Sequence, residues 1–224
     1  MWSVPRLDVV AALAAVCILA PPQERTPAPG VDALIERIQD KYESVELKAH
    51  FVQKRLSRLG SVMTTVEGDL YIRTPGRMRW EYHTTNQLLV AGGPGRATYL
   101  YLPEDNQVQV MQADLSSASE PILYLFGRGR LRRDFDIQVI DWGVPLHRGN
   151  VQLELLPRRG GASFERLILE VEPRQATVVR LVTYDNLRNT LDYQFHDIQF
   201  DPGLPDALFE FDIPAGADVI YVGR

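Results

Sequence analysis

The fold class follows from one stretch of the sequence, which reads Gly68-Asp69-Leu70-Tyr71-Ile72-Arg73-Thr74-Pro75-Gly76-Arg77-Met78-Arg79-Trp80-Glu81-Tyr82. The dipeptide Pro75-Gly76 at its centre is typical of a turn. On both sides of this turn, apolar residues stand at every second position: Leu70, Ile72, Met78 and Trp80. Most of the positions between them are charged or polar. A period of two with one apolar and one charged side predicts a β-hairpin that packs one face against a core.

The same period of two recurs along most of the chain. The first hairpin strand reaches back to Val62, and further strand-like runs cover Gln87–Ala91, Thr98–Leu102, Gln107–Gln112, Phe135–Trp142, Val151–Leu156, Phe164–Glu172, Thr177–Asp185, Asn189–Phe200 and Leu208–Phe211. Fifteen prolines and sixteen glycines are spread along the chain, as frequent turns require. About ten strands without a composition shift or an internal repeat predict one large antiparallel sheet, which must curl or close.

Few helices accompany this sheet. Apolar residues recur at helical spacing near the start of the chain: Val31, Leu34, Ile35 and Ile38. Asp32 suits a helix N-terminus, so the pattern predicts an amphipathic helix from Val31 to about Glu43. Pro121 fits the first turn of a short helix in the middle of the chain. The sheet then either rolls up as a barrel or keeps a lined cavity under the helices.

The first twenty residues are typical of a signal peptide. Arg6 precedes an apolar run from Val9 to Ala20. About twelve apolar residues are too few to span a bilayer and suit the core of a signal peptide. We therefore expect a signal peptide at 1–20, a flexible leader at 21–30 and one folded domain at 31–222.

The one cysteine of the chain, Cys17, lies inside this apolar run. Cleavage after Ala20 removes it, so we expect a mature protein without disulfides or thiolate chemistry. The alternative, a lipid-modified Cys17, fits less well because Val16, rather than a small residue, precedes the cysteine.

The sequence carries no motif of a known catalytic or metal chemistry. The four histidines lie in separate segments without metal-ligand spacing: His50, His83, His147 and His196. There is no nucleophile elbow, P-loop or dinucleotide fingerprint. A net charge of -5 argues against nucleic-acid binding. We therefore expect a protein that is not an enzyme, with no catalytic residues, no cofactor and no metal site.

Two features in the middle of the chain each have two interpretations. The apolar patch of the short helix either plugs the end of a core or forms a movable lid over a ligand cavity: Ile122, Leu123, Leu125 and Phe126. The arginine cluster that follows is either solvated surface charge or a contact for lipid headgroups or a partner protein: Arg128, Arg130, Arg132 and Arg133.

The hairpin from Gly68 to Tyr82 resembles the corresponding hairpin of the periplasmic outer-membrane lipoprotein carrier family, LolA. Other segments occur in the same order as in that family: Phe51-Val52-Gln53, Gln87-Leu88-Leu89-Val90, Tyr99-Leu100-Tyr101-Leu102-Pro103, Asp185, Phe195 and Phe209-Glu210-Phe211-Asp212-Ile213-Pro214-Ala215-Gly216. The resemblance extends from about Val31 to Val222. No single motif decides it, but the order and spacing together are specific.

The resemblance implies a half-open β-barrel whose mouth is covered by the N-terminal helix and by short lid helices. It also implies a periplasmic carrier that receives lipoproteins from an inner-membrane ABC transporter and delivers them to an acceptor lipoprotein at the outer membrane. Such a carrier binds the acyl chains of its cargo and works as a monomer. Two alternatives are a periplasmic envelope-stress sensing or regulatory module with a related half-barrel, and a carrier of another lipid or glycolipid.

The resemblance also suggests roles for particular residues. We expect apolar side chains of the concave sheet face to contact the acyl chains: Leu70, Ile72, Met78, Trp80, Val90 and Tyr99. We expect Ile122, Leu125 and Phe126 to form the lid. Members of the family often have an arginine immediately before the hairpin proline, where it holds the closed lid. Here Thr74 takes that place, so Arg73, one residue earlier, is the candidate for holding the lid, although its side chain points to the other face.

Overall fold

Strands make up most of the structure. The computed structural model of the protein describes residues 29–111, 130–158 and 164–222. These residues form helix α1 (Pro29–Glu43), a short helix α2 (Leu131–Asp134) and the strands β1 (Glu46–Leu56), β2 (Val62–Arg73), β3 (Arg77–Tyr82), β4 (Leu88–Gly92), β5 (Thr98–Leu102), β6 (Gln107–Met111), β7 (Phe135–Ile140), β8 (Val151–Pro157), β9 (Phe164–Glu172), β10 (Thr177–Asp185), β11 (Thr190–Phe200) and β12 (Asp218–Val222).

All of the described strands belong to one open sheet of twelve strands. Their order across the sheet is β12-β6-β5-β4-β3-β2-β1-β11-β10-β9-β8-β7. Neighbours pair antiparallel, except that β12 pairs in parallel with β6. The two edge strands, β12 and β7, do not pair with each other among these residues. This confirms the prediction of a mainly β fold with one large, half-open sheet and few helices.

Helix α1 packs on one side of this sheet because its apolar residues lie along one stripe. Leu34, Ile35 and Ile38 are buried. The Tyr42 hydroxyl accepts a 3.0 Å hydrogen bond from the backbone N–H of Val178, and burial strongly raises the Tyr42 pKa. The Arg37 guanidinium donates to backbone carbonyls of the β9–β10 turn. The helix begins at Pro29, two residues before the predicted start.

The hydrophobic core lies between α1 and the sheet. We name the sheet side that faces α1 the helix-side face, and the opposite side the outer face. The helix-side face contributes buried residues from both halves of the sheet: Leu47, Phe51, Leu70, Ile72, Met78, Trp80, Leu153, Leu169, Leu181 and Phe195. Because side chains alternate along a strand, the residues between them point to the outer face.

The C-terminal segment crosses the outer face. Residues 208–211, predicted as a strand, instead belong to a 3₁₀ turn, Asp206–Phe209, and the extended chain after it. The Phe211 ring lies 5.3 Å from the Tyr99 ring and packs against the outer face. The segment packs on the sheet through its side chains and does not pair as a strand. Apolar alternation alone therefore led to the wrong prediction of a strand at 208–211.

The sequence-based prediction missed two strands, β1 and β12. Strand β1 pairs with both β2 and β11 and so lies at the centre of the sheet. Its outer positions mix charged residues and histidine with the apolar Val52, and Gln53 interrupts the apolar alternation on its other side. Strand β12 is a five-residue edge strand. Within the described ranges, no helix is both long enough and apolar enough to cross a membrane.

Candidate functional site

The helix-side face carries a group of aromatic rings at its centre, which we name the aromatic floor: Phe51, Trp80, Tyr82, Tyr193 and Phe195. The Phe51 ring packs edge-on against Trp80 at 4.8 Å and against Tyr82 at 5.2 Å between ring centroids. The Trp80 ring lies 5.7 Å from Tyr193. Edge-to-face and offset contacts at these distances are favourable. Strands β1, β3 and β11 therefore hold the rings as one packed apolar surface.

Strand register explains why these rings meet. Phe51 of β1 lies opposite Phe195 of β11 and opposite Gly68 of β2. Gly68 leaves no room for a larger side chain, since a Cβ there would approach the Glu81 carbonyl oxygen and the Phe51 ring. The glycine thus lets the Phe51 ring settle between the neighbouring strands.

Aliphatic side chains continue the apolar surface toward the α1 end of the sheet. Leu70 lies opposite Trp80, and Ile72 lies opposite Met78. All four side chains are almost fully buried. These four predicted residues are therefore brought together on the helix-side face, as part of the core beneath α1.

Val90 and Tyr99 do not join them. Val90 pairs with Arg79 and Tyr99 pairs with Val90, so both side chains point to the outer face. Leu89, opposite Trp80, takes the place on the helix-side face. The grouping of six residues on one face is thus corrected to four. Strand β4 is apolar on both faces, so its sequence shows no alternation that could distinguish Leu89 from Val90.

Polar side chains also lie on the helix-side face, namely Gln53 and the buried Thr98 and Thr183. Gln53 lies opposite Tyr193 and Val66, on the same side as Phe51. Its Oε1 atom is buried and has no hydrogen-bond partner among the described residues. Buried polar atoms without a partner are uncommon because desolvation is costly. The aromatic floor and the aliphatic side chains beside it offer hydrocarbon and ring contacts, which suit an apolar ligand.

In the structure, the Arg73 side chain contacts the C-terminal segment. Its Nε donates to Glu46 at 2.9 Å, and its other nitrogens donate to Asp206 and to the Leu204 carbonyl. The guanidinium also lies 5.4 Å from the centre of the Phe209 ring. These contacts are all on the outer face. The predicted role of Arg73 in holding the lid stays a prediction, because Ile122, Leu125 and Phe126 lie outside the described residues, as do positions 1–28.

Thr74 holds the end of α1 instead. The backbone N–H of Val45, two residues after the helix, donates to the Thr74 hydroxyl at 2.7 Å. The Thr74 N–H donates to the Val45 carbonyl at 2.9 Å. The residue that stands in the place of the family arginine therefore still joins the hairpin to the segment that follows the helix.

Two described arginines of the central cluster, Arg132 and Arg133, form ion pairs within the chain. Arg132 binds the Asp32 carboxylate at 2.8 Å and so attaches α2 to the first turn of α1. Arg133 binds Asp134. Arg128 lies outside the described residues. These contacts favour a structural role for Arg132 in keeping the two helices together.

A second concave region lies on the outer face. This cleft, of about 680 Å³, is lined by charged and aromatic side chains that include Arg166, Arg180 and Trp142. Arg180 makes a two-pronged ion pair with Asp192 at 2.6 and 2.8 Å, and Arg166 binds Glu154 at 2.8 Å. These pairs satisfy the charges internally, so the cleft is a weaker candidate than the aromatic floor for an apolar ligand.

The strand register also brings together residues that the sequence analysis kept apart. His50 lies opposite Asp69, and Asp69 lies opposite Glu81, all on the outer face. His83 follows β3 and reaches the same carboxylate. His50 and His83, which lie in separate segments of the sequence, thus both contact the Asp69 carboxylate. The sequence contained the information for part of this group, because the hairpin turn determines that Glu81 lies opposite Asp69.

Comparisons with known proteins identify the family of this chain. The family model described as "Outer membrane lipoprotein carrier protein LolA" matches residues 43–212. An outer-membrane lipoprotein carrier protein of Dechloromonas aromatica (strain RCB) is 32% identical over 174 residues, covering 78% of this chain and 80% of the relative. One from Nitrosomonas europaea is 27% identical over 206 residues, covering 92% and 94%.

Solved structures share the fold. An uncharacterized conserved protein from Thermus thermophilus superposes with a TM-score of 0.53 at 15% identity, covering 85% of this chain and 98% of that one. At this identity the likeness concerns the fold alone. The family model, by contrast, spans most of the described sheet, from the end of α1 to the segment after Phe211. This chain is a member of the LolA family of outer membrane lipoprotein carrier proteins.

Proposed function

We propose that this protein is a periplasmic carrier that shields the acyl chains of lipoproteins against its helix-side face. The observation that carries the proposal is the aromatic floor, a packed apolar surface at the centre of an open sheet. Family membership supports a carrier role. The described part of this surface presents rings and hydrocarbon, so the proposed activity is binding without chemistry.

The physical need for such a carrier can be expressed as a free energy. An acyl chain of about fifteen methylenes exposed to water costs on the order of 12 kcal/mol, at about 0.8 kcal/mol for each methylene. A lipoprotein therefore does not cross an aqueous compartment unshielded. A cover that recovered all of this free energy would not release its cargo. The proposed carrier instead covers the chains incompletely and opens when it delivers them.

The proposed route has two docking steps. The carrier receives its cargo from an inner-membrane ABC transporter and delivers it to an acceptor lipoprotein at the outer membrane. We propose that it does so as a monomer, exported by the predicted signal peptide at 1–20. The predicted lid residues Ile122, Leu125 and Phe126 would cover the chains during transit.

A release assay tests the proposal. Spheroplasts that hold newly made lipoproteins are incubated with the purified protein, and the soluble fraction is examined for a complex of the two. We expect lipoprotein to appear there in complex with the wild-type protein. No lipoprotein in the soluble fraction would contradict the proposal and favour a regulatory module.

Strand β4 offers a matched pair of variants for the same assay. Leu88 and Leu89 are adjacent leucines, both half-buried, that point to the outer face and to the helix-side face respectively. We expect Leu89→Glu to reduce the lipoprotein released by about tenfold or more, because a carboxylate is costly against an acyl chain. Leu88→Glu should release as much as the wild type. Equal loss in both variants would exclude the helix-side face as the binding surface.

A further inference from the structure

The outer face of the first three strands carries a group of metal-binding residue types, which we name the histidine–carboxylate cluster: His50, Asp69, Glu81 and His83. Strand β1 supplies His50, β2 supplies Asp69 and β3 supplies Glu81. His83 follows β3 directly and is fixed there by a 2.9 Å hydrogen bond from its backbone N–H to the Glu67 carbonyl. Separate segments of the sequence thus meet at one point of the sheet.

The spacing of the ligand atoms fits a bound ion. His50 Nδ1 lies 3.3 Å from one oxygen of Asp69, and His83 Nε2 lies 3.6 Å from the other. Ligand atoms of Asp69, Glu81 and His83 all lie within 4.8 Å of one another. Nitrogen and oxygen ligands bind Zn²⁺ at about 2.0–2.2 Å, so tetrahedral ligands stand roughly 3.3–3.6 Å apart. His83 Nε2 therefore already lies near this distance from the Asp69 carboxylate, and His50 Nδ1 lies at hydrogen-bond distance from its other oxygen.

Access and charge also suit a cation. The side chains of His50, Asp69 and His83 are 33%, 26% and 50% exposed, so an ion can enter from solvent while the site keeps some shelter. Asp69 and Glu81 supply two carboxylates, and the Arg79 guanidinium offsets one of their two negative charges. Arg79 binds one oxygen of Glu81 at 2.6 Å and holds that side chain in place. Imidazole and carboxylate are ligands that suit Zn²⁺ and neighbouring divalent transition metals.

We propose that the histidine–carboxylate cluster is a binding site for a divalent transition-metal ion of the Zn²⁺ class. Asp69, Glu81 and His83 are the ligands, and His50 hydrogen-bonds the Asp69 carboxylate as an outer partner. The ion links β2 and the end of β3 on the outer face. Phe51 follows His50 in the chain and points to the opposite face, so the link lies directly behind the aromatic floor. This site is separate from acyl-chain binding, and its test does not depend on that function.

Isothermal titration calorimetry of ZnCl₂ into the purified, untagged protein tests the site. We expect one Zn²⁺ per chain for the wild type. His83→Ala and Asp69→Asn should each weaken the affinity at least about tenfold, since even the loss of an outer-shell partner of a metal site costs about that much. His147→Ala is the matched control, because His147 lies in the β7–β8 loop with its backbone N–H directed at Glu170. It should bind like the wild type.

Absence of Zn²⁺ binding to the wild type would overturn the proposal, as would an unchanged affinity in either cluster variant or an equal loss in the His147→Ala control. Far-UV circular dichroism establishes that each variant is folded before titration. A second measurement on the wild type uses Co²⁺ as a spectroscopic substitute. We expect the intense visible absorption of tetrahedral Co²⁺, and a weak octahedral spectrum would contradict the proposed ligand set.

Discussion

Two neighbouring residues, Arg73 and Thr74, illustrate how a single position in a strand changes what a side chain holds. Arg73 points to the outer face and binds Glu46, Asp206 and the Leu204 carbonyl. Thr74 binds the backbone of Val45 at the end of α1. Two adjacent positions therefore make two separate attachments, one to the segment after α1 and one to the C-terminal segment.

The hydrogen bonds of Thr74 predict a cost for removing its hydroxyl. Thr74→Val keeps the shape of the side chain but leaves the Val45 N–H without its acceptor. An unsatisfied buried donor costs about 1–3 kcal/mol, so we expect the free energy of unfolding to fall by roughly 1 kcal/mol or more. Urea denaturation measures this change. The exposed Thr64→Val is the control and should be close to neutral; an equal effect in both variants would contradict the assigned role.

At the scale of elements, the Glu46 carboxylate helps to attach the C-terminal segment, together with the contacts that Arg73 makes with Asp206 and Leu204. Glu46 accepts a 2.7 Å hydrogen bond from the Leu204 N–H and a 2.9 Å bond from Arg73. The Leu204 N–H, and next the Arg73 guanidinium, hold the Glu46 pKa below its ordinary value of 4.5, although partial burial opposes the shift. Ionised Glu46 is therefore the form that holds residues 204–209 against the sheet.

This pKa shift predicts a pH dependence of stability. A carboxyl whose pKa is lower in the folded state contributes stability above its unfolded pKa of about 4.5 and loses it as the pH falls through the folded value. Urea unfolding between about pH 7 and pH 3 should show this loss in the wild type. Glu46→Gln should be less stable at pH 7 and show a shallower decline below about pH 4.5. A parallel decline in both proteins would mean that Glu46 does not contribute.

The hairpin of β2 and β3 was predicted almost to the residue because one of its faces is apolar and the other is polar or charged. Strands β5, β9 and β10 were predicted as closely, although apolar residues such as Ile168 and Val182 are also buried on the outer face. Helix α1 was predicted because its apolar residues keep a helical period. Alternation of apolar and polar residues indicates which face of a paired strand is buried, as it does in the hairpin of β2 and β3.

The failures have physical causes of the same kind. Strand β4 is apolar on both faces because the C-terminal segment covers its outer side, so Val90 could not be told from Leu89. Phe209 and Phe211 alternate like a strand but pack through their side chains. The histidine–carboxylate cluster depends on the register between β1 and β2, which the single hairpin prediction did not include.

The whole molecule is an open sheet with different chemistry on its two sides. The helix-side face is apolar, from the aromatic floor to the residues under α1. The outer face carries the ion pairs, the C-terminal segment and the histidine–carboxylate cluster. These helix-side residues are buried between α1 and the sheet, so a ligand that binds there has to displace part of this cover.

Site-specific photo-crosslinking on β4 tests the central claim most directly. A photoreactive phenylalanine analogue replaces Leu89 in one variant and Leu88 in the other, and each is irradiated after it has released lipoproteins from spheroplasts. We predict that the probe at position 89 forms an adduct with the lipoprotein acyl chains and that the probe at position 88 does not. Adducts from position 88 with none from position 89 would contradict binding on the helix-side face.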